Sequence, residues 1–271
     1  MSLASETSRI LKENNIRLSR KFGQNYLVDS SKRDKIIDFA NLSSDDTVLE
    51  IGSGIGTMTL ELARHAGKVI SIEQDPRIFS ILESRLESEG ISNVELICDD
   101  ALNLDFPFFN KVVANLPYQI SSPITFKFLE YDFDYGVLMY QKEFALRMNA
   151  DFNTKSYSRL SAALYFKADV RVLDFVSPAC FMPQPKVDSA VVCLKPYKDC
   201  VDVGVMYSRV CRALFQHKRK KVRNALVDSY HELGLESKDA ARDLCNGLGD
   251  FVDMRVLSMS PEDILELSRR I

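Results

Sequence analysis

Glu50-Ile-Gly-Ser-Gly-Ile-Gly-Thr57 places three glycines at alternate positions between an apolar, β-branched run and a helical stretch. The run Thr47–Ile51 predicts a buried strand, and 57–66 predicts the helix that follows. Glycines between them let the backbone turn tightly and come close to a ligand, whose electron-rich groups the helix N-terminus favours. A strand, glycine turn and helix in this order commit the chain to an α/β fold of parallel strands joined by helices.

The pattern then repeats. Strands are predicted over 68–72, 94–98, 111–114 and 135–140, with helices over 77–89, 122–130 and about 141–150. The expectation is a doubly wound, Rossmann-like sheet with helices on both faces. After Ser158 a helix is predicted over 160–167. Two further strands follow, over 170–176 and 189–194, joined by a loop with three prolines and suggesting an antiparallel edge pair. Beyond about residue 201 no strand run appears, and 205–215, 222–233, 240–248 and 261–271 read as short helices. The expected organisation is an irregular or loosely helical segment over 1–35, the sheet domain over 36–200 and a small all-helical domain over 201–271. No apolar run approaches the roughly 20 residues of a membrane span, and no secretory signal is visible at the N-terminus. A cytoplasmic protein is the expectation.

Composition narrows the chemistry. Six cysteines lack C-x-x-C or any metal-ligand spacing, and the three histidines pair with no nucleophile, so zinc chemistry and hydrolytic triads are disfavoured. Net charge is −3, but it is unevenly spread. Residues 1–35 carry +4 and residues 209–223 carry +7, which leaves −14 for the other 221. Two basic segments on an acidic protein suit contact with phosphates, although either alone reads equally well as a solvated helix face.

The candidate site lies at successive strand ends. The spacing of Gly52, Gly54 and Gly56 is Gly-x-Gly-x-Gly rather than the Gly-x-Gly-x-x-Gly of dinucleotide folds, which suits a nucleoside without a pyrophosphate. Glu73, after the second strand, is placed to accept both hydroxyls of a ribose. Asp100 or its neighbour Asp99, after the third, can accept from an adenine amino group; spacing does not separate them. Asn115-Leu-Pro-Tyr118 follows the fourth strand. An adenine N6 amine is a poor nucleophile because its lone pair is delocalised, so it needs acceptors, alignment and a flat support. Asn115 can accept through its side-chain oxygen, and Pro117 fixes the backbone so that the Leu116 carbonyl can face the same amine. Tyr118 offers a stacking face for an unstacked base. The rate gain would come from positioning and electrostatics, not from a strong base.

With these motifs stand Arg20-Lys-Phe-Gly-Gln-Asn-Tyr-Leu27, Phe181-Met-Pro-Gln-Pro-Lys-Val-Asp-Ser189 and Leu214-Phe-Gln-His-Lys-Arg-Lys-Lys-Val-Arg223. In this order, over nearly the whole chain, they resemble the KsgA-type ribosomal RNA adenine dimethyltransferases. Asn115-Leu-Pro-Tyr-Gln-Ile-Ser-Ser-Pro-Ile-Thr125 is more similar to archaeal and eukaryotic members than to bacterial ones. The resemblance implies a class I S-adenosylmethionine-dependent methyltransferase. It would dimethylate two adjacent adenosines near the 3′ end of small-subunit rRNA in a pre-ribosomal particle, as a monomer without a metal. It further implies that Asn25, Leu27, Gly52, Glu73, Asp100 and Asn115 touch the cofactor and that Phe181 stacks on the flipped base. The alternative for Phe181 is an anchor for the proline-rich loop. Arg20, Lys21, Lys186, Arg209, Arg212, Lys218, Arg219, Lys220, Lys221 and Arg223 become expected RNA contacts, giving affinity more than sequence choice. Residues 1–13 lie outside the motifs.

Competing readings are a DNA adenine or protein glutamine methyltransferase, and a ribosome-assembly scaffold or mitochondrial transcription factor of the same fold. The first class typically has Pro where this chain has Leu116; loss of catalysis in the second would be expected to erode the glycine loop and Asn115.

Overall fold

In the computed structural model, which describes residues 2–16 and 25–271, nine strands follow in chain order. They are β1 (Tyr26–Leu27), β2 (Thr47–Ile51), β3 (Lys68–Ile72), β4 (Val94–Ile97), β5 (Lys111–Asn115), β6 (Tyr135–Gln141), β7 (Ala168–Val176), β8 (Phe181–Met182) and β9 (Ser189–Pro196). Seven form one sheet in the order β4-β3-β2-β5-β6-β9-β7. The pairs β2/β3, β3/β4, β2/β5 and β5/β6 are parallel, and β9 runs antiparallel to β6. The sheet is therefore the expected Rossmann-like α/β type. Its central strands are buried almost throughout, with Val48, Leu49, Val69, Val112 and Val113 fully shielded, as strands covered on both faces require.

Helices α1 (Leu3–Glu13), α2 (Ser30–Ala40), α3 (Thr59–His65), α4 (Pro76–Ser88) and α5 (Ser121–Phe128) accompany this sheet, followed by α6 (Lys142–Met148). Two of them give regular form to a stretch expected to be irregular or loosely helical over the first 35 residues. Ser2 caps α1 by accepting from the Ser5 amide, and Asp29 caps α2 by accepting from the Lys32 amide. Each buries one stripe: Thr7, Ile10 and Leu11 on α1, and Ile36, Ile37 and Ala40 on α2. The segment 222–233, read as one helix, ends as an α-helix at Asp228 and continues as a 3-10 turn over Tyr230–Leu233.

The chain divides into two compact units, Met1–Ala145 with Val170–Pro196, and Leu146–Asp169 with Tyr197–Ile271. One division falls between Pro196 and Tyr197, and the helical unit also takes Leu146–Asp169, which the sequence alone places with the sheet domain. Packing explains the difference. Tyr157 and Ala162 share a core with Tyr207, Val210, Leu214 and Leu226. Tyr207 Oη donates to the Ala162 carbonyl at 2.8 Å, and Lys218 Nζ donates to the Lys155 and Tyr157 carbonyls at 3.1 and 3.2 Å. Helices α7 (Arg159–Tyr165), α8 (Gly204–Gln216), α9 (Val222–Asp228), α10 (Lys238–Asn246) and α11 (Pro261–Arg270) make up this unit with short 3-10 turns. Among the described residues no helix is long and apolar enough to cross a membrane.

One ionisable group is built into the centre of the sheet. Glu50, on β2, is 2% exposed; its carboxylate accepts from Thr59 Oγ1 and Ser71 Oγ, both at 2.6 Å. It thereby ties β2 to α3 and β3. Burial pushes its pKa up from 4.5 to about 7, against the opposing pull of these two hydroxyls. A carboxyl whose pKa is higher folded than unfolded gives stability that is present below the unfolded value and lost as pH rises through the folded one. The window is thus about pH 4.5 to 7, and the shift corresponds to roughly 3 kcal/mol. Urea unfolding followed by circular dichroism at pH 5 and pH 8 should show wild type losing stability relative to Glu50→Gln by about that amount. An identical difference at the two pH values would mean that Glu50 titrates as an ordinary surface acid.

Candidate active site

The strand order reverses between β2 and β5: β3 and β4 extend the sheet on one side, β5 and β6 on the other. Open α/β sheets bind ligands at such a switch point, beyond the carboxyl ends of the strands. Here the ends of β2 and β5 carry the glycine turn and Asn115.

Gly52, Gly54 and Gly56 all have positive φ, at 77°, 57° and 89°. The requirement is sharpest at Gly54, where a Cβ would run into the Tyr26 ring. A Cβ at Gly52 would sit 3.3 Å from Pro117 Cδ, so the turn passes directly against the Asn-Leu-Pro-Tyr segment. The turn also exposes amides. Gly52 N–H donates to the Ile72 carbonyl at 2.8 Å, and Gly54 N–H donates to the Glu73 carboxylate at 2.9 Å. The other Glu73 oxygen accepts from the Asp75 amide at 2.9 Å. Each oxygen keeps a lone pair after these bonds. Burial raises the Glu73 pKa, and the backbone amides of Asp75, Gly54 and Gln74 act against that shift.

A cleft opens over this junction. Four carboxylates line it, Glu50, Glu73, Asp99 and Asp100, and among the described residues no Lys, Arg or His does. Asn25, Gly52, Gly54 and Asn115, expected from the sequence as cofactor contacts, line it too. Tyr26, Ser53, Thr57, Met58 and Gln119 are lining residues which that reading missed. Both candidate aspartates border the cleft, and they differ in anchoring. Asp100 accepts from the Leu102 amide at 2.9 Å and from Asn103 Nδ2 at 3.2 Å, whereas Asp99 accepts the Asp100 amide at 2.7 Å.

Asn115 is oriented by its neighbour: its Nδ2 donates to the Asn25 carbonyl at 2.9 Å. That bond assigns the amide nitrogen to the protein and leaves Oδ1 as the free acceptor. Pro117 lines the cleft, whereas the Leu116 side chain is buried at 2% exposure, so only its backbone can face a ligand. Tyr118 is half-buried beside the cleft, its hydroxyl 2.6 Å from Ser189 Oγ. Burial raises its pKa, so the phenol stays neutral.

Three expected contacts are placed elsewhere. Phe181 is 3% exposed and packs with Val176, Val191 and Leu27 in the core beneath the sheet. Its strand β8 pairs antiparallel with β1, Leu27 opposite Phe181. In this structure the ring packs in that core and ties down the start of the proline-rich loop. Leu27, 1% exposed, belongs to the same core and does not line the cleft. Gly56 does not line it either; its role is the turn itself.

The expected RNA contacts separate by what already holds them. Arg20 and Lys21 lie outside the described residues. Lys186 is exposed. In the helical unit Lys220 pairs with Asp228 at 2.7 Å, Lys221 with Asp253 at 2.9 Å and Arg212 with Glu232 at 3.5 Å. Arg223 donates to Asn246 at 3.4 Å. Lys218 is engaged by two backbone carbonyls. Arg209 and Arg219 are exposed, and among the described residues neither side chain has a hydrogen bond or ion pair.

Comparison with known proteins agrees with this geometry. Residues 15–243 match the family described as ribosomal RNA adenine dimethylase. A probable ribosomal RNA small subunit methyltransferase A of Methanothermobacter thermautotrophicus is 50% identical over 270 residues, 99% of this chain and 96% of that one. Its counterpart in Methanosphaera stadtmanae is 47% identical, covering 97% of each. Among solved structures, a dimethyladenosine transferase from Plasmodium falciparum superposes with a TM-score of 0.74 at 33% identity, over 88% of this chain and 94% of that one. The 23S rRNA methyltransferase ErmE gives 0.66 at 27% identity, over 90% and 98%. A glycine turn against an acidic cleft, an Asn-Leu-Pro-Tyr corner and a match of this extent make the chain a member of the ribosomal RNA adenine dimethylase family.

Proposed function

We propose that this protein transfers methyl groups from S-adenosylmethionine to the N6 amine of adenosine in small-subunit rRNA, twice on each of two adjacent adenosines near the 3′ end. The reading takes the protein to act in the cytoplasm, as a monomer, on a pre-ribosomal particle. The observation that carries it is the cleft at the strand switch point: four carboxylates, no cation among the described residues, and an Asn115 oxygen turned free by Asn25.

The donor set fits the cofactor. A pyrophosphate would meet carboxylates and, among the described residues, no cation, whereas a positively charged methionine nucleoside meets complementary groups. Glu73 has one lone pair per oxygen for the ribose hydroxyls, and Asp99 and Asp100 face the region suited to the adenine. When bound, S-adenosylmethionine supplies an electrophilic methyl on a sulfonium.

The chain's own residues do the rest. Asn115 Oδ1 accepts an N6–H and holds the amine in line. The Leu116 carbonyl, presented by the fixed backbone of Pro117, accepts the second proton. Tyr118, tethered by Ser189, supports the base on its ring. Asn115 cannot act as a strong base, so the amine proton leaves to water after transfer, and acceleration rests on alignment.

Incubation with labelled S-adenosylmethionine and undermethylated small subunits, then digestion to nucleosides, should yield N6,N6-dimethyladenosine. Asn115→Ala should lower the rate on the order of 100-fold, as the loss of one oriented polar group does. Label in DNA or protein with none in rRNA would overturn the substrate; binding of S-adenosylmethionine without any transfer would favour the scaffold reading.

Phosphate contact by the helical unit has its own readout. Arg209→Ala with Arg219→Ala should weaken RNA binding evenly across sequences. The slope of log affinity against log salt should become shallower by roughly 2, about one per lost contact. An unchanged slope would remove these arginines from the interface. Lys218→Ala should instead lower the melting temperature, because its ammonium holds two carbonyls of 146–169.

A further inference from the structure

Helix α1 precedes the family match, which begins at residue 15. It is nonetheless bound to the centre of the glycine turn by two independent sets of contacts. The first is polar. Glu6 on α1 pairs with Arg85 on α4, and the same guanidinium donates through Nη1 to the Ile55 carbonyl at 2.6 Å. Arg85 is only 14% exposed, so this bridge is largely shielded from water. The second is apolar. Ile10 and Leu11 pack in one cluster with Ile55, Tyr26, Ile78 and Ile81. Ile55 is fully buried and sits between Gly54 and Gly56, while Tyr26 is the ring against which Gly54 lies.

We propose that α1 is a positioning element for the cofactor turn, acting through Glu6, Arg85 and the Ile55 carbonyl. The Gly52, Gly54 and Gly56 amides hold the turn through Ile72, Glu73 and Ser53. Yet three positive-φ glycines confer freedom as readily as they permit the geometry, and a further hold on the Ile55 carbonyl reduces it. Its amides must nevertheless point one way: Gly54 N–H has to meet Glu73 for the carboxylate to face the cleft. Fixing the Ile55 carbonyl from behind holds the Ile55–Gly56 peptide plane, two along from the plane that carries that amide, and limits the rotation left between them. Arg85 does this only while its other nitrogen is held by Glu6; released, the long side chain regains its rotamers and the neighbouring Glu89, 3.8 Å away, competes for it. Glu6 and Arg85 touch neither cofactor nor base, so they position and do not catalyse. The amphipathic spacing of Thr7, Ile10 and Leu11, three and four residues apart, keeps Glu6 in register with Arg85.

This inference rests on the cofactor reading of the cleft, and the test separates the two. S-adenosylhomocysteine binding to the full chain is measured by calorimetry for wild type, Glu6→Gln, Glu6→Asp, Arg85→Lys and Glu13→Gln. Glu6→Gln and Arg85→Lys should each weaken binding on the order of five-fold, since Lys cannot reach both Glu6 and a carbonyl with two separate nitrogens. Glu6→Asp should recover part of the loss. Glu13→Gln, which breaks the exposed Arg9–Glu13 pair on the same helix, should leave affinity unchanged. In turnover, Glu6→Gln should raise the KM for S-adenosylmethionine while the KM for RNA and the saturated kcat stay put. A merely structural helix would lower the melting temperature without this split, and equal affinities for wild type and Glu6→Gln well below melting would overturn the proposal. Failure of wild type itself to bind S-adenosylhomocysteine would overturn the cofactor reading instead.

Discussion

Between Ile51 and Thr57 the backbone leaves the sheet, turns at three positive-φ glycines and enters α3, exposing the Gly54 amide to Glu73 as it does so. That hydrogen bond couples the ends of two strands through one carboxylate. A buried acid is costly when ionised, and the two amides that Glu73 accepts offset part of the cost while fixing its orientation. The reversal of strand order then brings β5 alongside β2, so that Pro117 rests against Gly52. The glycine turn and the Asn-Leu-Pro-Tyr corner are therefore packed together, and a shift of either bears on the other.

What was legible in the sequence follows from how local each constraint is. The glycine turn, Glu73 and Asn115–Tyr118 could be placed because they fall at strand ends, and strand ends follow from hydrophobic runs a few residues long. The burial of Phe181 and Leu27 could not be read. Both belong to two-residue strands whose mutual pairing turns their side chains into the core, and a pairing across more than 150 positions leaves no local trace. Likewise 146–169 reads as a continuation of the sheet domain, yet Tyr157 and Ala162 bury their surface with α8. Domain membership is decided by packing partners, not by position along the chain.

Charge was legible as a total and misleading as a set of individuals. The basic stretch 209–223 stands out in the sequence, yet Lys218 is taken up by carbonyls and Lys220, Lys221 and Arg212 by acids. The exposed pairs cost little to open, because exposed ion pairs contribute at most about 1 kcal/mol. Phosphate can therefore compete for those residues, while the Lys218 clamp would have to give up its carbonyls. Glu50 shows the reverse case: as the first residue of the glycine motif it looked like part of a strand, and only burial reveals a carboxyl held by Thr59 and Ser71 within the cleft wall.

The cleft's chemistry also explains why so much structure is devoted to holding a short turn still. On the proposed reading Asn115 is an acceptor and not a base, so the reaction gains from geometry and not from proton abstraction. Alignment of a methyl with a weakly nucleophilic amine tolerates little displacement, so flexibility in the glycine turn is a direct cost in rate. A chain that needs glycine at Gly54 to let Tyr26 approach must restrain that glycine from outside. The restraint comes from either side of the turn: Glu73 takes the amide that precedes Ile55, and Arg85, held from α1, takes the Ile55 carbonyl. The two bonds hold the peptide planes on either side of the Gly54–Ile55 peptide and so limit the rotation left within it.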